Sequence, residues 1–152
     1  MDLHRLTIWE AADLLRQKQI SPLELVEGYL RRIETYNPRL NAYLTVTAEL
    51  ALQSARIAEQ EIMRGSWRGH LHGIPLALKD LFDTANVRTT EGTKYSAGRV
   101  PAENAAVVQK LEDAGALLLG KLNMHEIALG VTNVNPHYGA CRNPWNTSLI
   151  TG

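Results

Sequence analysis

Few side chains in this sequence have the type and spacing that chemistry needs. Lys79 is one: it follows Leu76-Ala77-Leu78 directly and precedes Asp80. A lysine can accept a proton only as the neutral amine, and desolvation disfavours the ammonium. The same position also suits a strand-end lysine that carries its charge out into water. The histidines are less suggestive. His70 and His72 are two apart, and His125-Glu126 is followed by His137, spacings that match no zinc pattern. They are read as structural, with His125 and Glu126 stabilising a short helix after Met124. Cys141 has only Arg142 beside it, too little to make a reactive thiolate, and is read as inert. Gly115, Gly120 and Gly130 do not form a dinucleotide fingerprint. No metal and no cofactor are expected.

The elements that must position Lys79 are legible from periodicity and stop signals. Thr7 to Glu10 and Ser21 to Glu24 each match a capping box, the second with Pro22 at the first helical position. They open two helices, the first ending near Gln19 and the second stopped by Asn37-Pro38. Residues 41–47 read as a strand, and 48–64 as a helix with Ala51, Ala55, Ala58 and Ile62 on one narrow face. Leu76-Ala77-Leu78 and Ala116-Leu117-Leu118-Leu119 read as buried strands, separated by a polar loop over 87–101 and a helix over 104–114. Residues 123–126 open a brief helix, and 130–152 carry turn formers without periodicity. Strands alternating with helices predict an α/β fold: N-terminal helices over 1–65, then from 66 to 152 the first strands of a mixed, helix-covered sheet. Two or three strands do not finish such a sheet, so the domain is expected to be incomplete.

Bulk properties narrow the classes. Sixteen basic and sixteen acidic residues leave no net charge, which argues against direct nucleic-acid binding or an anionic membrane surface. A single cysteine fits a reducing cytosol, and neither a secretory h-region nor a membrane-spanning apolar run is present in the sequence. A cytoplasmic location is expected.

Several ordered motifs carry a resemblance. Gly73-Ile-Pro-Leu-Ala-Leu-Lys-Asp80, Thr89-Thr-Glu-Gly-Thr93, the stretch from Ala105 through Ala116, Gly120-Lys-Leu-Asn-Met-His-Glu126 and Arg142-Asn-Pro-Trp-Asn146 together resemble the amidase signature family, over nearly the whole chain. The resemblance implies hydrolysis of carbon–nitrogen bonds in carboxamides, small-molecule amides, by a triad of two serines and one lysine. Lys79 matches the lysine. The serines belong to a Gly/Ser-rich stretch of which Thr151-Gly152 look like the first residues. None of Ser21, Ser54, Ser66, Ser96 and Ser148 sits in a matching motif, so the 152 residues alone are expected to be inactive. The implied relay runs from the nucleophilic serine through a bridging serine to Lys79, forming an acyl-enzyme that water hydrolyses.

Lys79 is therefore expected in a poorly solvated place. Asp80 is expected on the opposite side, because successive strand residues alternate faces. By the same resemblance Met124, Thr132 and Asn133 are candidates to line the amide pocket. Two other readings stay open. One is the glutamine-hydrolysing component of a tRNA-dependent amidotransferase, with its partner subunits. The other is a non-catalytic fragment or interaction module. A homodimer is also compatible with the helical N-terminal segment.

Overall fold

The structure, a computed structural model, describes residues 2–152. Both capping boxes form. The Thr7 hydroxyl accepts from the Glu10 N–H at 3.2 Å, and the Glu10 carboxylate accepts from the Thr7 N–H at 2.8 Å, opening α1 (Ile8–Arg16). Ser21 and Glu24 repeat the exchange at 3.0 and 2.8 Å and open α2 (Pro22–Leu40). Helix α2 does not stop at Asn37 as the proline suggests; Pro38 lies inside its last turn. There the missing N–H costs little, because the Glu34 carbonyl it would have satisfied belongs to a residue open to water. Asn37 then shapes the exit: its side chain accepts from the Tyr43 N–H at 2.8 Å and donates to the Tyr43 carbonyl at 3.1 Å.

Strand β1 (Tyr43–Val46), α3 (Ala48–Met63), β2 (Pro75–Lys79), α4 (Ala106–Asp113) and β3 (Leu117–Leu122) follow, then a 3-10 turn over Glu126–Ala128; another such turn, Leu3–Arg5, precedes α1. Strand β3 extends three residues beyond the apolar run that marks it in sequence. A further antiparallel hairpin, β4 (Arg142–Asn143) with β5 (Asn146–Ile150), has no sequence signature, because its residues from Asn146 to Leu149 are all exposed and set up no apolar alternation. The three-stranded sheet has the order β1–β3–β2. Strand β1 pairs antiparallel with β3, placing Tyr43 opposite Leu122, Thr45 opposite Lys121 and Val46 opposite Gly120. Strands β2 and β3 run in the same direction: Leu117 N–H reaches the Ile74 carbonyl at one end, and Asp80 N–H reaches the Leu122 carbonyl at the other. The sheet is mixed and the fold is α/β. Gly120 is required where β1 crosses, since a Cβ there would lie 2.2 Å from the Thr45 carbonyl oxygen.

The chain divides into two compact units. The first comprises the residues up to 32, 47–76 and 109–119; the second comprises 33–46, 77–108 and 120–152. The first unit packs Ala11, Leu15, Ile20, Leu25, Ile62 and Ile74 into one apolar cluster. Ala51, Ala55 and Ala58 are buried on α3, the narrow face that the sequence marks out. Beside them His72 is fully buried. Its Nδ1 accepts from the Arg68 N–H at 3.2 Å, which places the ring proton on Nε2, 3.0 Å from a Glu61 carboxylate oxygen. That second contact falls outside hydrogen-bond geometry and brings the ring N–H dipole close to the carboxylate. The ring lies against the backbone of Gly115, where a Cβ would come within 2.6 Å of it.

Burial pushes the His72 imidazole below its ordinary value, with Glu61 partly opposing. An unfolded chain therefore takes up a proton at His72 before the folded one does, and stability falls as pH drops below about 6.5. The thermal midpoint is expected to decline between pH 7 and pH 5 in the parent protein, and His72→Gln is expected to flatten that slope. An equal slope in both proteins would assign the acid sensitivity elsewhere. The Arg68 guanidinium holds Glu61 below the usual carboxylate range, so Glu61 stays ionised across this window.

Candidate active site

Lys79 is the last residue of β2, and its side chain is exposed. The expectation of a poorly solvated Lys79 does not hold in this chain. The apolar run precedes the lysine but nothing covers it; Leu81 and Phe82, which follow, are themselves 41% and 36% exposed. Alternation along the strand does hold. Leu78 and Asp80 are buried, and Lys79 between them points to the open side. Among the described residues its ammonium makes no ion pair.

The desolvated lysine is Lys121, on β3. It is fully buried, with its ammonium 2.7 Å from both the Phe82 carbonyl and the Thr89 hydroxyl. Its counter-charge is Asp80, also fully buried, whose Oδ1 lies 3.6 Å from the ammonium and has no closer partner. The other carboxylate oxygen of Asp80 accepts from the Thr90 hydroxyl and, at 2.9 Å, from the Thr90 N–H. The Asp80 carbonyl accepts from the Glu91 N–H at 3.0 Å. One ammonium and one carboxylate thus tie the turn after Lys79 to the 89–91 segment. Burial pushes Lys121 below the ordinary lysine value, and Asp80 pulls part of the way back.

Around this network the loop is braced by arginines. Arg88 donates to the Leu44 carbonyl at 3.0 Å and to the Thr45 hydroxyl at 3.0 and 3.2 Å. Arg99 forks onto Asp83 with two contacts of 2.7 Å, and this holds Asp83 below the usual carboxylate range. Paired guanidinium–carboxylate geometry of this kind fixes orientation as well as charge.

Sequence reasoning passes over Lys121, yet a signal exists. It stands inside Leu117-Leu-Leu-Gly-Lys-Leu122, with apolar residues on both sides, whereas Lys79 ends its run. A charge inside a strand of a covered sheet must be paired, and Asp80 is the partner.

The three candidate pocket residues are not brought to Lys79 by any described contact. Met124 is buried; its carbonyl accepts from the Asn135 side chain at 2.9 Å, and its N–H donates to the Asn123 side chain at 2.7 Å. Thr132 lies 3.5 Å from the His125 ring. Asn133 has a left-handed backbone (φ 47°) and a buried side-chain oxygen without a hydrogen bond. Glu126 pairs with His137 at 2.7 Å rather than capping the turn it opens. A cleft of about 310 Å³ lies in the first unit, between α3, His72 and residues 115–118, and Lys79 is not part of its lining.

Comparison with known proteins places this arrangement. The family model described as Amidase matches residues 24–152, and the chain belongs to that family. It is 43% identical over 150 residues to the A subunit of the Glutamyl-tRNA(Gln) amidotransferase from Methylococcus capsulatus, covering 99% of this chain and 31% of that protein. The corresponding protein of an Azoarcus species is 48% identical over 146 residues, with 96% and 30% covered. A crystal structure of a bacterial aryl acylamidase of the amidase signature family superposes with a TM-score of 0.91 at 31% identity, covering 99% of this chain and 31% of that one. The chain thus spans about 31% of the length of the relatives it matches.

Proposed function

We propose that Lys79 is the terminal proton acceptor of a Ser-Ser-Lys triad in an amidase-type hydrolase of carboxamides. The two serines come from polypeptide outside these 152 residues, and residues 66–152 form the beginning of the amidase core. The observation that supports this reading is the separation of charges at the end of β2. Lys79 stands open and, among the described residues, without an ion pair, while the neighbouring carboxylate faces the other way onto Lys121. An amine kept clear of a carboxylate can lose its proton when a covering segment removes water from it. A bridging serine would then pass Lys79 the proton of the nucleophile. Met124, Thr132 and Asn133 would stand toward the amide side of the pocket. The reading requires no cofactor.

The curated relatives favour a second reading within the same chemistry. Both of those quoted above are the A subunit of a Glutamyl-tRNA(Gln) amidotransferase, which favours an assembly with partner subunits; on this reading glutamine would be the amide and its ammonia would pass to a mischarged aminoacyl-tRNA. A homodimer belongs to the simpler amidase reading. Both readings are compatible with a cytoplasmic location; no helix among the described residues is long and apolar enough to cross a membrane.

The purified 152-residue chain is expected to release no ammonia from glutamine or from propionamide, because it holds no activated nucleophile. Turnover that disappears on Lys79→Ala would show that a serine within the chain completes the site. A partner protein that copurifies, together with glutaminase activity in the longer protein, would decide for the amidotransferase.

A further inference from the structure

Asp80 follows Lys79 in the chain and faces Lys121 from the neighbouring strand, and it pairs with Lys121. We propose that Lys121 is a positioning residue for Lys79: alternation turns Asp80 to the buried side, and Lys121 holds its carboxylate there at the strand end, so that it does not come round to pair with the Lys79 amine. The inference rests on the reading of Lys79 as a base, for which an adjacent free carboxylate would be harmful, since an opposite charge at close range holds an amine in its protonated form.

The geometry supports a device of two parts. The first is charge. Lys121 and Asp80 are both fully buried, and the other oxygen of Asp80 is taken by the Thr90 hydroxyl and N–H, so the carboxylate is held from two directions on that side. The remaining charged groups nearby are committed as well: Asp83 is forked by Arg99, and Arg99 also reaches Glu91 at 3.5 Å. Lys121 is therefore the cation that answers Asp80. The second part is the backbone. Lys121 donates to the Phe82 carbonyl, and the Phe82 N–H in turn donates to the Lys79 carbonyl at 3.1 Å. The ammonium thus fixes the turn that would have to reorganise for Asp80 to swing toward Lys79. Burial acts in the same direction, since an Asp80 left without Lys121 gains by moving to any other cation.

The test uses the chain as it stands and does not read activity. Trace labelling with acetic anhydride at pH 8, followed by peptide mass spectrometry, reports the acylation of Lys79 relative to the exposed Lys94 and Lys110 of the same molecule. Only the free amine reacts. In Lys121→Met the Lys79 ratio is expected to fall about fivefold or more, in keeping with a new carboxylate within roughly 4–6 Å. In the double variant Lys121→Met/Asp80→Asn it is expected to return to the parent value. A merely structural role would loosen the segment and leave the already exposed Lys79 as reactive as before or more so, so the fall in Lys121→Met is what separates the two. An unchanged ratio in Lys121→Met, or one that stays low in the double variant, overturns the inference. Asp80→Asn alone gives a second reading should Lys121→Met fail to fold: the ratio is expected to stay within about twofold of the parent, and a severalfold rise would mean that Asp80 already acts on Lys79 and would overturn the inference. Failure on any of these arms leaves the role of Lys79 as base to be judged separately, by turnover in the longer protein.

Discussion

Asp80→Ala is expected to lower the stability of the second unit by about 3–5 kcal/mol. The substitution removes one carboxylate but strands three groups. The Lys121 ammonium stays fully buried without a counter-charge, and the N–H and hydroxyl of Thr90 lose their acceptor. A buried charge deprived of its partner costs far more than the pair contributed while intact, because desolvation has already been suffered by both ions. For that reason the double substitution Asp80→Ala/Lys121→Met is expected to recover much of the loss, although Thr90 stays unsatisfied. Urea unfolding of the parent and the two variants measures both effects. A loss under about 1 kcal/mol in Asp80→Ala would mean that water or a rearranged Lys121 side chain reaches this site, and that the two charges are not held as a dry pair.

The same pair shows where sequence reasoning succeeds and where it ends. Alternation on β2 is a local property, so the opposite facing of Lys79 and Asp80 is legible from position alone. The two capping boxes are legible for the same reason: donor and acceptor are three residues apart. The buried small-residue face of α3 follows from period 3.6. What Asp80 faces is not local. Lys121 is 41 residues away, and its pairing depends on β3 lying beside β2, which no spacing within either strand encodes. Pro38 illustrates the opposite error: a rule that is sound in a helix interior loses its force in a last turn, where there is little left to break. The exposed position of Lys79 departs from expectation because an apolar run says which side of a residue is buried in the chain at hand. It does not say what other polypeptide packs over its end. Tyr95 and Trp145, at 97% and 95% exposure, mark other parts of the second unit that are equally open, and poor solubility of the isolated chain is expected from such surfaces.

Lys79 carries the central claim, and the largest functional effect is expected there. In a protein that joins this segment to its two serines, Lys79→Met removes the proposed proton acceptor and leaves the proposed serine nucleophile in place. General-base assistance is worth on the order of 10²–10⁴ in rate. A nucleophile deprotonated through a bridging hydroxyl should sit at the upper end of that range, because the proposed relay contains no second base. KM should move only a few-fold, since the lysine amine has no part in binding the carboxamide before reaction. The decisive measurement is steady-state ammonia release from glutamine and propionamide by the longer protein and its Lys79→Met variant. A fall in kcat of about a thousandfold or more with a nearly constant KM is the predicted result; a kcat within about tenfold of the parent would contradict the assignment of Lys79 as the base.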